Sequence, residues 1–280
     1  MTRWRSPALA VLSTYPPTPC GLATFAAALT NGLSEIGIRD VGVVRAAVDA
    51  SRFDDMRVVA VLRPGSDSSR CAVARRVNDY ECLLLQHEYG IYGGHDGAEV
   101  LDLLAEVDVP VVTTLHTVAL KPSASQRTIL ERVVAASAAV VTMTGTARSR
   151  LINHYDVDPT KVTTIVHGAT VPRALENDGE SYHDMLMQRA VDLRVHDQEE
   201  FDPSYRPLGS LLDLISEATC VVLPYDSDDQ ITSGVLVDAI AAGRPVIATR
   251  FPHATEVLTD GPGLLVSHSS PQKLADAMEK

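Results

Sequence analysis

Ten short, nearly unbroken apolar runs, separated by longer amphipathic segments, constrain this chain more than anything else in its sequence. The runs are Ala8–Thr14, Val41–Val48, Val58–Leu62, Cys82–His87, Val109–His116, Ala138–Thr144, Lys161–His167, Thr219–Tyr225, Pro245–Thr249 and Gly263–Ser267. Strands covered by helices on both faces read as continuous Val, Leu and Ile rather than as alternation, which is the mark of a parallel sheet. Between them, Gly21–Ile36 places Leu22, Phe25, Leu29, Leu33 and Ile36 on one helical face. Ala98–Val107, Ser123–Ala136, Thr146–Tyr155, Leu208–Glu217, Gly234–Ala242 and Pro271–Glu279 are also predicted helices. Strand alternating with helix predicts an α/β protein with doubly wound parallel sheets. Seven runs precede the polar, strand-poor stretch 169–206 and three follow it, so the expected division is residues 1–170 and a thinner unit, 171–280.

Charge and thiols narrow the functions. Thirty-six acids against 24 bases give a formal charge of -12, which argues against a nucleic-acid-binding role, because phosphate neutralisation needs clustered Lys and Arg. Cysteines 20, 71, 82 and 220 form no C-x-x-C pair, the usage expected in a reducing, cytoplasmic compartment. No apolar run reaches the ~18 residues of a membrane-spanning helix. Arg3 and Arg5 precede an apolar stretch too short for a signal peptide, so it reads as a first strand.

In open α/β sheets ligands bind beyond the carboxyl ends of strands, so the residues there are the candidates. Thr14-Tyr15-Pro16-Pro17-Thr18-Pro19-Cys20-Gly21 leads into a helix whose N–H groups and dipole suit a phosphate or sugar oxygen; Gly21 is equally a plain helix-start glycine. Gln86-His87-Glu88-Tyr89-Gly90-Ile91-Tyr92-Gly93-Gly94 reads as a binding loop without the G-x-G-x-x-G dinucleotide spacing. His116 and His167 end strands, as ligand-facing or as core residues, and no H-x-x-x-H pair suggests a metal. Leu223–Gly234 is the richest stretch: a strand end, a polar loop, then Thr232-Ser233-Gly234 opening a helix, a geometry suited to a diphosphate. Ser233 is also an ordinary N-cap type. Asp226-Ser227-Asp228 has the D-x-D form of a metal-binding triplet, disfavoured here by the parallel-sheet context.

These stretches together resemble the retaining GT-B glycosyltransferases of family 4 (group 1), most closely a mannosyltransferase-like bacterial branch. The resemblance rests on Thr14-Tyr15-Pro16-Pro17 with Cys20-Gly21 and Phe25, Gln86-His87-Glu88-Tyr89-Gly90, Leu115-His116-Thr117 and His167-Gly168-Ala169. It continues through Gly179-Glu180 with Tyr182, Pro224-Tyr225, Gln230 with Ser233-Gly234, Gly243–Thr249, and Phe251-Pro252-His253-Ala254 with Glu256. It implies two Rossmann-like domains facing a cleft, the nucleotide sugar on the second and the acceptor on the first. It further implies that His116 contacts the reacting sugar. Gln230, Thr232, Ser233, Gly234 and Asp238 would bind the donor, and Gly21, His87, Glu88, Tyr89, Gly90 and His167 would form acceptor or cleft loops. Gln230 and Asp238 stand where most members carry two glutamates eight residues apart. The implied reaction moves a hexose, mannose favoured, from a nucleotide sugar such as GDP-mannose to a carbohydrate or lipid-linked acceptor. No metal or other cofactor is expected, and peripheral membrane contact is compatible with it.

One departure is large. His167-Gly168-Ala169-Thr170-Val171-Pro172 runs together two signatures that the family separates by a strand, a helix and a strand. The absent piece carries the glycine-rich loop and the Arg and Lys that hold the donor diphosphate; Arg173 and Arg206 are the nearby cations. The alternative reading is therefore a catalytically inactive, deletion-bearing remnant with a binding or scaffold role.

Overall fold

The computed structural model describes residues 7–38, 40–47, 55–168, 206 and 208–279. Two wholly parallel sheets organise them. The first runs β1 (Ala8–Ser13), α1 (Gly21–Glu35), β2 (Asp40–Ala46), β3 (Val58–Leu62), α2 (Asp67–Val77), β4 (Cys82–His87) and α3 (Glu99–Leu104). It continues with β5 (Val111–Leu115), α4 (Ala124–Ala136), β6 (Ala139–Thr142), α5 (Gly145–His154) and β7 (Val162–Thr164). Its strand order is β3-β2-β1-β4-β5-β6-β7. The second comprises α6 (Leu208–Glu217), β8 (Val221–Leu223), α7 (Gly234–Ala241), β9 (Val246–Thr249), α8 (Pro252–Leu258), β10 (Gly263–Val266) and α9 (Pro271–Met278), with order β10-β9-β8.

All ten expected strands form. Helices α2 and α8 were not expected. The first is arginine-rich and buries only Val73, Ala74 and Val77, so it shows little apolar periodicity; the second has seven residues, fewer than the period needs to become visible. The expected division at residue 170, the Gly179-Glu180-Tyr182 motif and Arg173 lie outside the described residues.

Strand alternation sorts the larger sheet's side chains. Leu83 and Leu85 of β4 join Leu12, Val44, Leu103, Ile129 and Val133 in one core, whereas Val43 packs with Tyr15 and Ala26 beneath α1 on the other face. The helices α2 to α5 all pack on the first face. On the second, α1 covers the early strands and leaves Leu84, Val112 and Val141 half-buried beside a cavity. No helix among the described residues is long and apolar enough to cross a membrane.

Candidate functional site

The larger sheet reverses its order between β1 and β4, the switch point at which adjacent loops diverge and leave a crevice. A cavity of about 810 Å3 opens there. From the first half come Gly21 and Phe25 of α1, Gln86 near the end of β4 and Glu88 just after it, His116 after β5, and His167; from the second come Arg206, Leu208, Leu211, Thr232, Gly234, Val235 and Asp238. Leu22, Leu29, Leu84, Val112 and Val141 give it an apolar floor.

The loop after β1 is fixed from both ends. Cys20 caps α1, its Sγ accepting from Ala23 N at 3.4 Å, so Gly21 is the first helical residue and not the cap. The buried Arg45 of β2 donates from Nε to the Tyr15 carbonyl at 3.3 Å and from Nη2 to Thr18 Oγ1 at 2.9 Å.

The loops after β4 and β5 are stitched to each other. Register aligns Gln86 with Thr114 and His87 with Leu115, and the His116 N–H donates to the His87 carbonyl at 3.1 Å. Beyond it, Gln86 Oε1 lies 2.9 Å from His116 Nε2, and Thr117 Oγ1 donates to Glu88 Oε2 at 2.6 Å. Gln86-His87-Glu88 and Leu115-His116-Thr117 are thus one interlocked unit. Phe25 meets the His116 ring edge-on, centroids 4.9 Å apart, and stands 5.3 Å from His167. Enclosed by protein but open toward the cavity, His116 is pushed down to about 3 by burial first and then by the charges of His167 and His87. It is therefore a neutral hydrogen-bonding group near pH 7, not a cation.

In the second half, Ser233 Oγ accepts from Leu236 N at 3.3 Å and so serves as the N-cap of α7. The Ser233 N–H donates to His253 Nδ1 at 2.8 Å; burial pushes that histidine down to about 4 and keeps this nitrogen an acceptor. Gly234 and Val235, next in the helix, line the cavity with the positive end of its dipole. Thr232 Oγ1 crosses the cleft to the His116 carbonyl at 3.2 Å. Asp238 is buried and borders the cavity.

Several expected site residues face elsewhere. The strand alternation that points Gln86 into the cavity points His87 into the opposite core, where burial holds it down at about 4. Tyr89 packs in that core with its hydroxyl on the Gln126 carbonyl. Gly90 does not line the cavity, and the glycines after it serve the chain's own turn: Gly93 has φ +78°, and a Cβ there would meet Glu99 Oε2 and Pro64 Cβ at 2.7 Å. Gln230 folds its amide back onto the Thr232 carbonyl. The acidic loop joins the two halves. Asp229 Oδ1 takes Arg150 Nη1 at 3.0 Å and Leu120 N at 2.9 Å, and the Asp228 carbonyl takes Arg150 Nη2 at 2.9 Å. Asp226 binds Ser269 and His268.

Comparison with known proteins gives the family and the fold. The profile described as Glycosyltransferase Family 4 matches residues 19–171, more than half the chain. This chain belongs to glycosyltransferase family 4. A second profile, Glycosyl transferases group 1, matches residues 179–280 of the same glycosyltransferase. Its fold is GT-B. A glycosyltransferase from Rickettsia africae ESF-5 superposes with TM-score 0.71 at 11% identity, over 98% of this chain and 88% of that one. Anabaena Alr3699/HepE in complex with UDP gives 0.63 at 14% identity, over 97% and 89%. WaaG, involved in lipopolysaccharide biosynthesis, gives 0.64 at 13% identity, over 96% and 89%. No curated protein matches the sequence.

Two residues named in the sequence without a place in the expected site, Arg206 as a nearby cation and Glu256 as part of a motif, stand at this cavity and at the seam beside it. Arg206, which follows no strand, reaches the cavity wall from just before α6. The other is Glu256 of α8, which spans the two halves by accepting from Gly145 N at 2.8 Å and from Thr146 N and Oγ1 at 2.9 and 2.8 Å. Burial pushes this carboxyl up, but the Thr146 and Gly145 donors outweigh it and hold it below its ordinary value.

Proposed function

We propose that this protein transfers a hexose, mannose favoured, from a nucleoside diphosphate sugar such as GDP-mannose to a hydroxyl of a carbohydrate or lipid-linked acceptor, with retention at the anomeric carbon. One observation carries the reading: His116 of the first half and the α7 N-terminus with Arg206 of the second line the same cavity. As the glycosidic bond breaks, the leaving diphosphate gains negative charge. Fixed N–H dipoles at Gly234 and Val235 and the Arg206 guanidinium stabilise that charge without reorganising. Neutral His116 orients a hydroxyl of the reacting sugar, Asp238 serves a ribose hydroxyl, and the Gly21 and Glu88 side admits the acceptor. A volume of about 810 Å3 is within the size range of small-molecule sites. Charge stabilisation comes from protein groups, so no metal enters the scheme. The four cysteines are free thiols, which favours a cytoplasmic setting.

A second reading, a remnant without transferase activity, has its own support. The second sheet has three strands among the described residues, and Gln230 turns away from the cavity. Thermal unfolding against GDP-, UDP- and ADP-sugars separates the two. A ligand at about 100 times its dissociation constant adds ~2.7 kcal/mol, a clear rise in melting temperature. A rise with one nucleotide supports the transferase and names its donor; no rise with any, from a cooperatively folding protein, favours the remnant.

A further inference from the structure

The reading of His116 as the group that meets the reacting sugar leaves open which ring nitrogen carries the proton. That choice decides what the residue can do. A neutral imidazole has one N–H and one lone pair, and whatever binds the first nitrogen sets the role of the second.

Gln86 makes that choice. Its backbone is immobilised: it lies in register with Thr114, and its carbonyl accepts from the hydroxyl of the fully buried Tyr92. Its side chain, 1% exposed, points Oε1 at His116 Nε2 across 2.9 Å. In this amide orientation the facing atom is an oxygen, which can only accept, and that assigns the hydrogen to Nε2. The backbone bond from His116 N to the His87 carbonyl fixes the root of the side chain, and Phe25 closes one edge of the ring. Nδ1 then has the lone pair, on a ring that borders the cavity.

A second observation argues that Gln86 is placed for His116 and not for the fold. Its Nε2 is buried and has no hydrogen-bond partner among the described residues, although the residue lines the cavity. An unpaired buried amide destabilises a folded chain, and such a group calls for an explanation beyond packing.

We propose that Gln86 is the positioning residue of His116: by accepting from Nε2–H it holds the ring in one tautomer, with Nδ1 as a hydrogen-bond acceptor for a sugar hydroxyl. This rests on the transferase reading for its catalytic consequence but not for its geometry. The role differs from that of His116 itself, because Gln86 acts through the ring and leaves donor affinity largely alone.

The test is the ring-nitrogen spectrum of 15N-histidine-labelled protein at neutral pH, for the full chain and for Gln86→Met. The unaltered protein should show His116 as the Nε2–H tautomer, and Gln86→Met should convert that signal to a tautomer mixture while melting cooperatively. In steady-state assays the same variant should lose about 10- to 100-fold in kcat with donor KM nearly unchanged, the scale of losses when a partner that orients a functional histidine is removed. An Nδ1–H tautomer in the unaltered protein overturns the proposal, as does a Gln86→Met variant with the original tautomer and turnover. Because the spectrum needs no turnover, a protein that shows the Nε2–H tautomer and its loss in Gln86→Met, yet transfers no sugar, sustains the geometry and defeats only the transferase reading.

Discussion

The two sheets differ in more than size. The seven-stranded sheet reverses its strand order between β1 and β4 and so makes its own crevice, flanked by Gly21 on one side and Gln86 and Glu88 on the other. The three-stranded sheet runs β10-β9-β8 without reversal among the described residues. Its contributions to the cavity come from the loop beyond its edge strand, the helix that loop opens, Leu208 and Leu211 of α6, and Arg206 upstream. The first half can shape a site by its topology; the second supplies charge and dipole to a site shaped elsewhere.

Substitutions in the two halves should therefore fail in different ways. The largest effect belongs to the first half: His116→Ala should lower kcat by on the order of 10²- to 10³-fold, the loss when one preorganised hydrogen-bonding group is removed, with the melting temperature nearly unchanged. Full turnover in that variant would remove the first half from the chemistry. Next in size is acid sensitivity. His87 of the larger sheet is depressed to about 4, so between pH 6.5 and 4 the unfolded chain binds a proton that the folded chain refuses. The associated stability is present above pH 6.5 and is lost as the pH falls through that window, by on the order of 3 kcal/mol at the low end. Denaturant titrations at pH 7 and 4.5 measure the loss, and His87→Leu should reduce it; an equal loss in the variant would shift the cause to other groups, such as His253 of the smaller sheet.

Third, Arg206→Ala should raise the donor KM or Kd by roughly 10- to 100-fold, the value of one charge-assisted contact, without changing acceptor KM. Calorimetry with the nucleotide alone gives the same answer without an acceptor. The smallest effect lies at the seam. Glu256→Gln should cost about 1 kcal/mol or less, because the carboxylate is exposed and screened. Its depressed pKa makes that contribution present above the ordinary glutamate range and lost as the pH falls through the folded value. Equal pH profiles for the variant and the parent in thermal melts would show that the contact adds nothing.

The fold was largely legible because unbroken apolar runs mark strands covered on both faces whatever lies around them. The cavity lining was legible where a strand end sufficed as a signal, as for His116 and Glu88, or a helix start, as for Thr232 and Gly234. Facing was harder. Leu84 and Gln86 share one parity and Leu83, Leu85 and His87 the other, but with both parities apolar in β4 nothing local tells which side opens on a cavity. The distinction between Gln86 and His87 therefore waited for the placement of α1. Arg206 follows no strand and Glu256 stands 111 residues from the Gly145 N–H it binds, so only tertiary structure brings either to its place.

Ile231 belongs by sequence to the loop leading into α7, yet it is 2% exposed inside the larger half's core, against Tyr89, Leu115, Val118 and Leu130. A short parallel sheet buries too little to hold together well alone, and this side chain enlists it in its neighbour's interior. Pulling it out would expose a full aliphatic side chain at about 2–3 kcal/mol. The molecule should therefore melt as one cooperative body and not as two beads on a string, and the dipole that faces the cavity is anchored twice, by Leu236 and Ala239 on its own sheet and by Ile231 in its neighbour's core.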